Sequence, residues 1–100
     1  MTRRIDWSNE AAQDFEDAID YISLDSEPRA RLVADRILTA IDSLGELPTG
    51  RPGRVKGIYE KLVQKTPYIV AYIIFDDRIR VVRIIHGSRD WPKGQWPSDA

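Results

Sequence analysis

Ala12, Phe15, Ala18, Ile19 and Ile22 recur at steps of three and four, with Asp14, Glu16, Asp17 and Asp20 filling the positions between. That period gathers the apolar side chains on one stripe and the carboxylates on the solvent side, and it predicts an amphipathic helix over 8–22. Ser8 suits the N-cap, and Glu10 and Asp14 fall where the helix dipole favours negative charge. The stretch Asp25-Ser26-Glu27-Pro28 breaks the pattern and starts a second helix over 28–44. Its stripe is Ala30, Val33, Ala34, Ile37, Ile41 and Leu44, and Gly45 reads as its C-terminal stop. Two such helices with a short break form a helical hairpin.

The pattern then changes. Residues 45–57, rich in Gly and Pro, read as a loop, and Arg51, Arg54 and Lys56 on it face only Glu46 as an opposing charge. Ile58, Glu60, Leu62 and Gln64 alternate with Tyr59, Lys61, Val63 and Lys65, which predicts a strand over 58–65. Thr66-Pro67 turns into an uncharged apolar run over 68–75, read as the central strand, buried on both faces. A buried helix segment is the rival reading, but the run is short for a helix and rich in Ile, Val and Tyr. Asp76-Asp77 then reads as a tight hairpin into a strand over 78–86. Strict alternation there puts Ile79, Val81, Arg83 and Ile85 on one face and Arg80, Val82, Ile84 and His86 on the other. Arg3–Trp7 is a candidate first strand, and residues 87–100 form a tail with no period, whose Trp91 and Trp96 either fold back or face a partner. The order predicts one α+β domain, an N-terminal helical hairpin packed on a small, mainly antiparallel β-sheet.

Composition narrows the class. One hundred residues, 42% hydrophobic and 31% charged, suit a single soluble globular domain. There is no cysteine, which excludes a disulfide framework and a thiolate metal site. A single histidine, with the carboxylates on helical solvent faces, gives no metal-ligand pair, and no pattern calls for a cofactor. The first residues lack the apolar stretch of a signal peptide, and no run is long enough to cross a membrane. The chain reads as soluble and intracellular. Its net charge of −1 divides into −6 over residues 1–50 and +5 over residues 51–100, so two differently charged surfaces are expected.

Four pieces, taken in order, carry a family resemblance. They are Trp7 before an Ala- and Asp-rich helix; Leu44-x-x-Leu47-Pro48-x-Gly50-Arg51-x-Gly53-Arg54; Pro67-Tyr68-Ile69-Val70-Ala71-Tyr72; and His86-Gly87-Ser88-Arg89-Asp90-Trp91-Pro92. In that order and spacing the chain resembles the RelE/ParE superfamily of toxins from type II toxin–antitoxin modules. The resemblance implies a compact sheet with a helical hairpin and toxicity when a cognate antitoxin is lost. The antitoxin implied is a small DNA-binding protein whose disordered segment orders on this chain. The resemblance leaves two targets open: RelE-like members cleave mRNA on the ribosome, whereas ParE-like members inhibit DNA gyrase. A toxin-fold module without toxicity, retained as an interaction partner, is a third reading.

RNA cleavage by a 2′-hydroxyl needs a base or oriented hydroxyl, cationic donors for the phosphate, and an acid for the leaving oxygen. The candidates for those roles are His86, Arg89 and Tyr68, with Arg51, Arg54 and Lys56 as phosphate contacts. The bland readings are a strand-end histidine bonded to backbone, an Arg89–Asp90 pair, and a solvated basic loop. Against cleavage, the mRNA-cleaving relatives that the chain resembles carry basic residues where Glu60, Leu62 and Ile69 stand, and no terminal catalytic tyrosine is evident. Other ribosome-dependent branches use a histidine near the C-terminus, which keeps His86 in view. A toxin that acts by binding needs no catalytic set, so the ParE-like reading comes first. Arg51, Arg54, Lys56, Arg89 and Trp91 are then the candidate contacts to target or antitoxin.

Overall fold

The computed structural model describes residues 2–87. In chain order they form β1 (Arg4–Trp7), α1 (Asn9–Ser23), α2 (Glu27–Glu46), β2 (Arg51–Pro52), β3 (Tyr59–Leu62), β4 (Tyr68–Ile74) and β5 (Arg78–His86). The five strands make one sheet in the order β1-β5-β4-β3-β2, so the apolar run of β4 lies at its centre. β1 runs parallel to β5, and every other pair is antiparallel. Both helices lie on one face. This is the α+β architecture expected from the order of apolar periods.

Ser8 shows how local chemistry sets the chain's path. Its hydroxyl accepts the Ala11 N–H at 3.0 Å, capping α1, and donates to the Val82 carbonyl at 2.8 Å. One side chain thus starts the first helix and fastens that start to the last strand; it is 2% exposed. Below the hairpin, Ile37 and Leu44 of α2 meet Val70, Tyr72, Ile79 and Val81 of the sheet in the main core. Burying an Ile or Leu side chain this fully is worth about 1.5–3 kcal/mol. Trp7 packs edge-on against Phe15, with ring centroids 5.7 Å apart, and closes the core beside β1. The other face of the sheet carries a smaller cluster, Ile58, Ala71, Ile73 and Val82, with Val55 and Phe75 against it.

Several sequence expectations are corrected here. α2 does not stop at Gly45 but runs to Glu46. Gly45 stands there because β1 crosses it: a Cβ would lie 2.7 Å from the Arg3 carbonyl oxygen, and the Arg3 N–H donates to the Gly45 carbonyl at 2.8 Å. The strand expected over 58–65 spans only Tyr59–Leu62, because the chain turns at Val63–Thr66 with Lys65 at φ 63°. The loop over 45–57 contains a short strand, β2, whose Arg51 and Pro52 pair with Glu60 and Tyr59.

Strict alternation along β5 also fails. Ala71 pairs with Arg83 but Tyr72 pairs with Val81, so Val82 is an inserted residue and the strand bulges there. After the bulge the faces exchange. Ile79, Val81 and Ile84 therefore share the helix-side core, while Val82 joins the opposite cluster. Asp14, read from its period as a solvent-side carboxylate, instead has a side chain only 17% exposed and reaches β5.

Candidate functional site

β1 ends at Trp7, so among the described residues β5 has no strand neighbour on that side beyond Val81. Asp14 fills the gap from α1. Its Oδ2 accepts the Ile84 N–H at 2.9 Å and the Arg83 Nε–H at 2.7 Å, while Oδ1 accepts from Arg83 Nη2 at 2.9 Å. The hydrogen bond to Asp14 holds the Arg83 guanidinium above its ordinary pKa, against the opposing effect of burial. Arg83 is thereby committed to a structural fork.

The cationic loop is fixed from two directions. Glu60 Oε2 accepts the Arg54 backbone N–H at 2.8 Å and faces Arg54 Nε at 3.4 Å. On the other side the Tyr72 hydroxyl accepts the Gly50 N–H at 2.9 Å, and Tyr59 stacks on Tyr72 with centroids 5.8 Å apart. A Cβ on Gly50 would collide with that hydroxyl, so only glycine lets the loop come this close. Burial pushes the Tyr72 hydroxyl above its usual pKa. Arg51, Arg54 and Lys56 are all exposed.

His86 and Tyr68 come together at the other end of the sheet. They pair in register and meet edge-to-face with centroids 5.4 Å apart. Both line a hollow of about 450 Å³ between the helices and the sheet, with Tyr21, Arg29, Arg36 and Lys65 on its wall. His86 is not brought to the loop cations. It lies three strands across and three residues along the sheet from Arg51, about 17 Å between backbones at ordinary strand spacing. The proposed cleavage set therefore does not converge within residues 2–87. Arg89 and Trp91 lie outside the described residues.

Glu60, Leu62 and Ile69 do converge. Leu62 pairs with Ile69, Glu60 pairs with Ala71, and alternation puts all three on the sheet face opposite the helices. That face is apolar and acidic at these three positions, with Leu62 61% exposed. Arg83, paired with Ala71, adds a cation nearby but is held by Asp14. Among the described residues no three His, Cys, Asp or Glu side chains gather as a metal site. Nor is any helix there long and apolar enough to cross a membrane. Sequence reasoning missed the hollow's cations. Arg29 and Arg36 stand seven residues apart on α2, a helical spacing that marks one face, but the apolar stripe of α2 gives no sign of it.

A two-helix hairpin on one face of a five-stranded, mostly antiparallel sheet defines a small toxin-like fold class, and comparison with known proteins narrows it. The chain matches the profile of the ParE toxin of the type II toxin–antitoxin system parDE over residues 5–91, and it belongs to that family. It is 36% identical over 92 residues to the putative toxin Y4kP of Sinorhizobium fredii, covering 91% of this chain and 95% of that one. It is 35% identical over 83 residues to toxin RelE2 of Caulobacter vibrioides, covering 83% of this chain and 93% of that one. Among solved structures it is similar to the chromosomal ParDE system of P. aeruginosa. The TM-score is 0.76 at 21% identity, over 85% of this chain and 96% of that one, a likeness of fold. The protein is thus a type II toxin of the ParE/RelE superfamily.

Proposed function

We propose that this chain is held inactive by a cognate antitoxin and, when released, inhibits DNA gyrase by binding it rather than by cleaving RNA. One observation carries the choice of target. The sheet face where a phosphodiester-cleaving relative would need cations carries Glu60, Leu62 and Ile69, and the neighbouring Arg54 and Arg83 are engaged by Glu60 and Asp14. A carboxylate beside a scissile phosphate repels it, and leucine and isoleucine donate nothing to the developing charge. Binding to a protein target asks only for a surface, and the exposed cationic loop with Arg51, Arg54 and Lys56 offers one.

A second reading, ribosome-dependent mRNA cleavage, is favoured by the His86–Tyr68 contact, which sets an imidazole beside a phenol at a strand end. The deciding experiment is a gyrase supercoiling assay with the full chain, with and without the protein encoded beside it. Inhibition relieved by the neighbour is the expected result. No inhibition by folded protein that still arrests growth would transfer the assignment to mRNA cleavage. Expression without the neighbour that left growth untouched would favour the third possibility, a toxin fold without toxicity.

A further inference from the structure

Two hollows flank one pair of cations. The first, about 450 Å³, has Tyr21, Arg29, Leu32, Arg36 and Lys65 on its wall. The second, about 400 Å³, shares Arg36 and Lys65 and adds Asp35, Lys61 and Leu62. Together they form a trough along α2 from Arg29 to Ala40, closed on its other side by the turn between β3 and β4. At the helical rise that length is about 16 Å. Arg36 fixes the wall by donating from Nη1 to the Lys65 carbonyl at 3.3 Å, which anchors the left-handed residue of the turn.

The charge of the trough is one-sided. Arg29, Arg36, Lys61 and Lys65 face it with Asp35 as the single carboxylate among the described residues, and the hydrogen bonds of Arg36 and Lys61 go to neutral oxygens, the Lys65 carbonyl and the Thr49 hydroxyl. Apolar side chains stand among the cations: Tyr21 is 64% exposed and Leu32 48%. On α2 the residues Arg29, Leu32, Val33 and Arg36 fall at one helical face.

The geometry points to this trough as the anchoring site for a peptide segment that carries carboxylates interleaved with apolar side chains, supplied by the antitoxin. The inference rests on the antitoxin reading above and assumes nothing about the toxin's target. Four cations without matching carboxylates select an anion, and the interleaved Tyr and Leu side chains select one with apolar neighbours. A nucleic acid fits less well. Its backbone would extend past the trough onto α1 and the hairpin turn, where Glu16, Asp17, Asp20, Asp25 and Glu27 repel it. A single peptide segment can confine its charge to the trough.

The test uses the full chain and the full-length protein encoded beside it, with affinity measured by calorimetry. Arg29→Glu combined with Lys65→Glu is expected to weaken binding about a hundredfold, two charge-assisted contacts at roughly tenfold each. Arg51→Glu combined with Arg54→Glu is expected to change it by less than about threefold. Hydrogen exchange of the wild-type complex, which depends on no variant folding, is expected to show added protection over residues 61–66. Unchanged affinity in the first variant, or no added protection in that turn, overturns the assignment. Retention of the wild-type chain on a dT20 oligonucleotide, lost in the first variant, overturns it in favour of nucleic acid. If the neighbour does not bind wild-type protein at all, the antitoxin reading itself fails, an outcome distinct from the others.

Discussion

Asp14 and Arg83 meet as a two-point fork, 2.7 and 2.9 Å between donor and acceptor, across 69 residues of chain. The same carboxylate also takes the Ile84 N–H, so α1 completes the edge of β5 where β1 has ended. Removing the carboxylate leaves a part-buried guanidinium and a backbone N–H without their acceptor. Asp14→Ala is expected to cost about 3 kcal/mol in urea unfolding. Arg83→Lys loses the fork geometry and is expected to cost about half as much. A loss below about 0.5 kcal/mol in both would reduce the fork to a surface pair.

The hydrogen bond from Gly50 to Tyr72 makes a pH-dependent prediction. The folded-state pKa of Tyr72 is raised, with burial the main cause, so the folded protein holds this proton longer than the unfolded chain does. That contribution is fully present below the unfolded tyrosine value of about 10 and is lost as pH rises through the folded value. Wild type should therefore lose melting temperature more steeply than Tyr72→Phe as pH rises above about 10, the ordinary tyrosine value. At neutral pH the same variant should be less stable by about 1 kcal/mol, the worth of one buried hydrogen bond. Equal slopes in the two proteins would refute the burial argument.

Gly45 gives a prediction of sign. At an exposed helical position, Gly→Ala gains roughly 1 kcal/mol of helix propensity. Here the added methyl would stand 2.7 Å from the Arg3 carbonyl oxygen and push β1 off α2. Gly45→Ala is expected to lower stability by about 1–2 kcal/mol despite its better propensity. A stabilised variant, read from its denaturation midpoint, would show that β1 yields without cost.

His86 separates the two targets in cells. If the chain acts by binding gyrase, His86→Gln without antitoxin should arrest growth as the wild type does. If it cleaves mRNA through this imidazole, the same change should reduce cleavage by about 10²–10⁴-fold, the usual worth of a general acid or base. Growth inhibition titrated against inducer, with equal protein levels checked by blotting, reads the difference.

The fold class was legible because local periods carried it. The stripe through Ile37, Ile41 and Leu44 marked a helix, and the unbroken run through Val70 and Tyr72 marked the strand at the sheet's centre. What escaped depended on partners far along the chain. Val82 looks like any strand residue until Tyr72 and Ala71 pair on either side of it, and only then is it an inserted one. Asp14 has the spacing of a solvent carboxylate and becomes a strand-edge acceptor because β1 stops at Trp7. Gly45 carries the signature of a helix stop, yet its neighbour is Arg3, at the far end of the helical hairpin's own sequence. The candidate site divided in the same way. A cluster such as Arg51, Arg54 and Lys56 is visible because it is contiguous, whereas Arg29 and Lys65 come together only through the docking of α2 on the turn before β4.

The parallel pairing of β1 with β5 joins Asp6 to Arg80 and Trp7 to Val81. The second strand of the sheet in space is therefore the last of the described strands to be synthesised, and Ile79, Val81 and Ile84 bring part of the main core with it. Until that strand is made, the helical hairpin has an incomplete floor and the first strand has no partner; such long-range closure comes late in folding. A message cut or stalled before β5 yields a fragment that cannot assemble the fold and is suited to proteolysis. The assembled fold can therefore exist only once β5 has been made, so the order of synthesis sets the order of assembly.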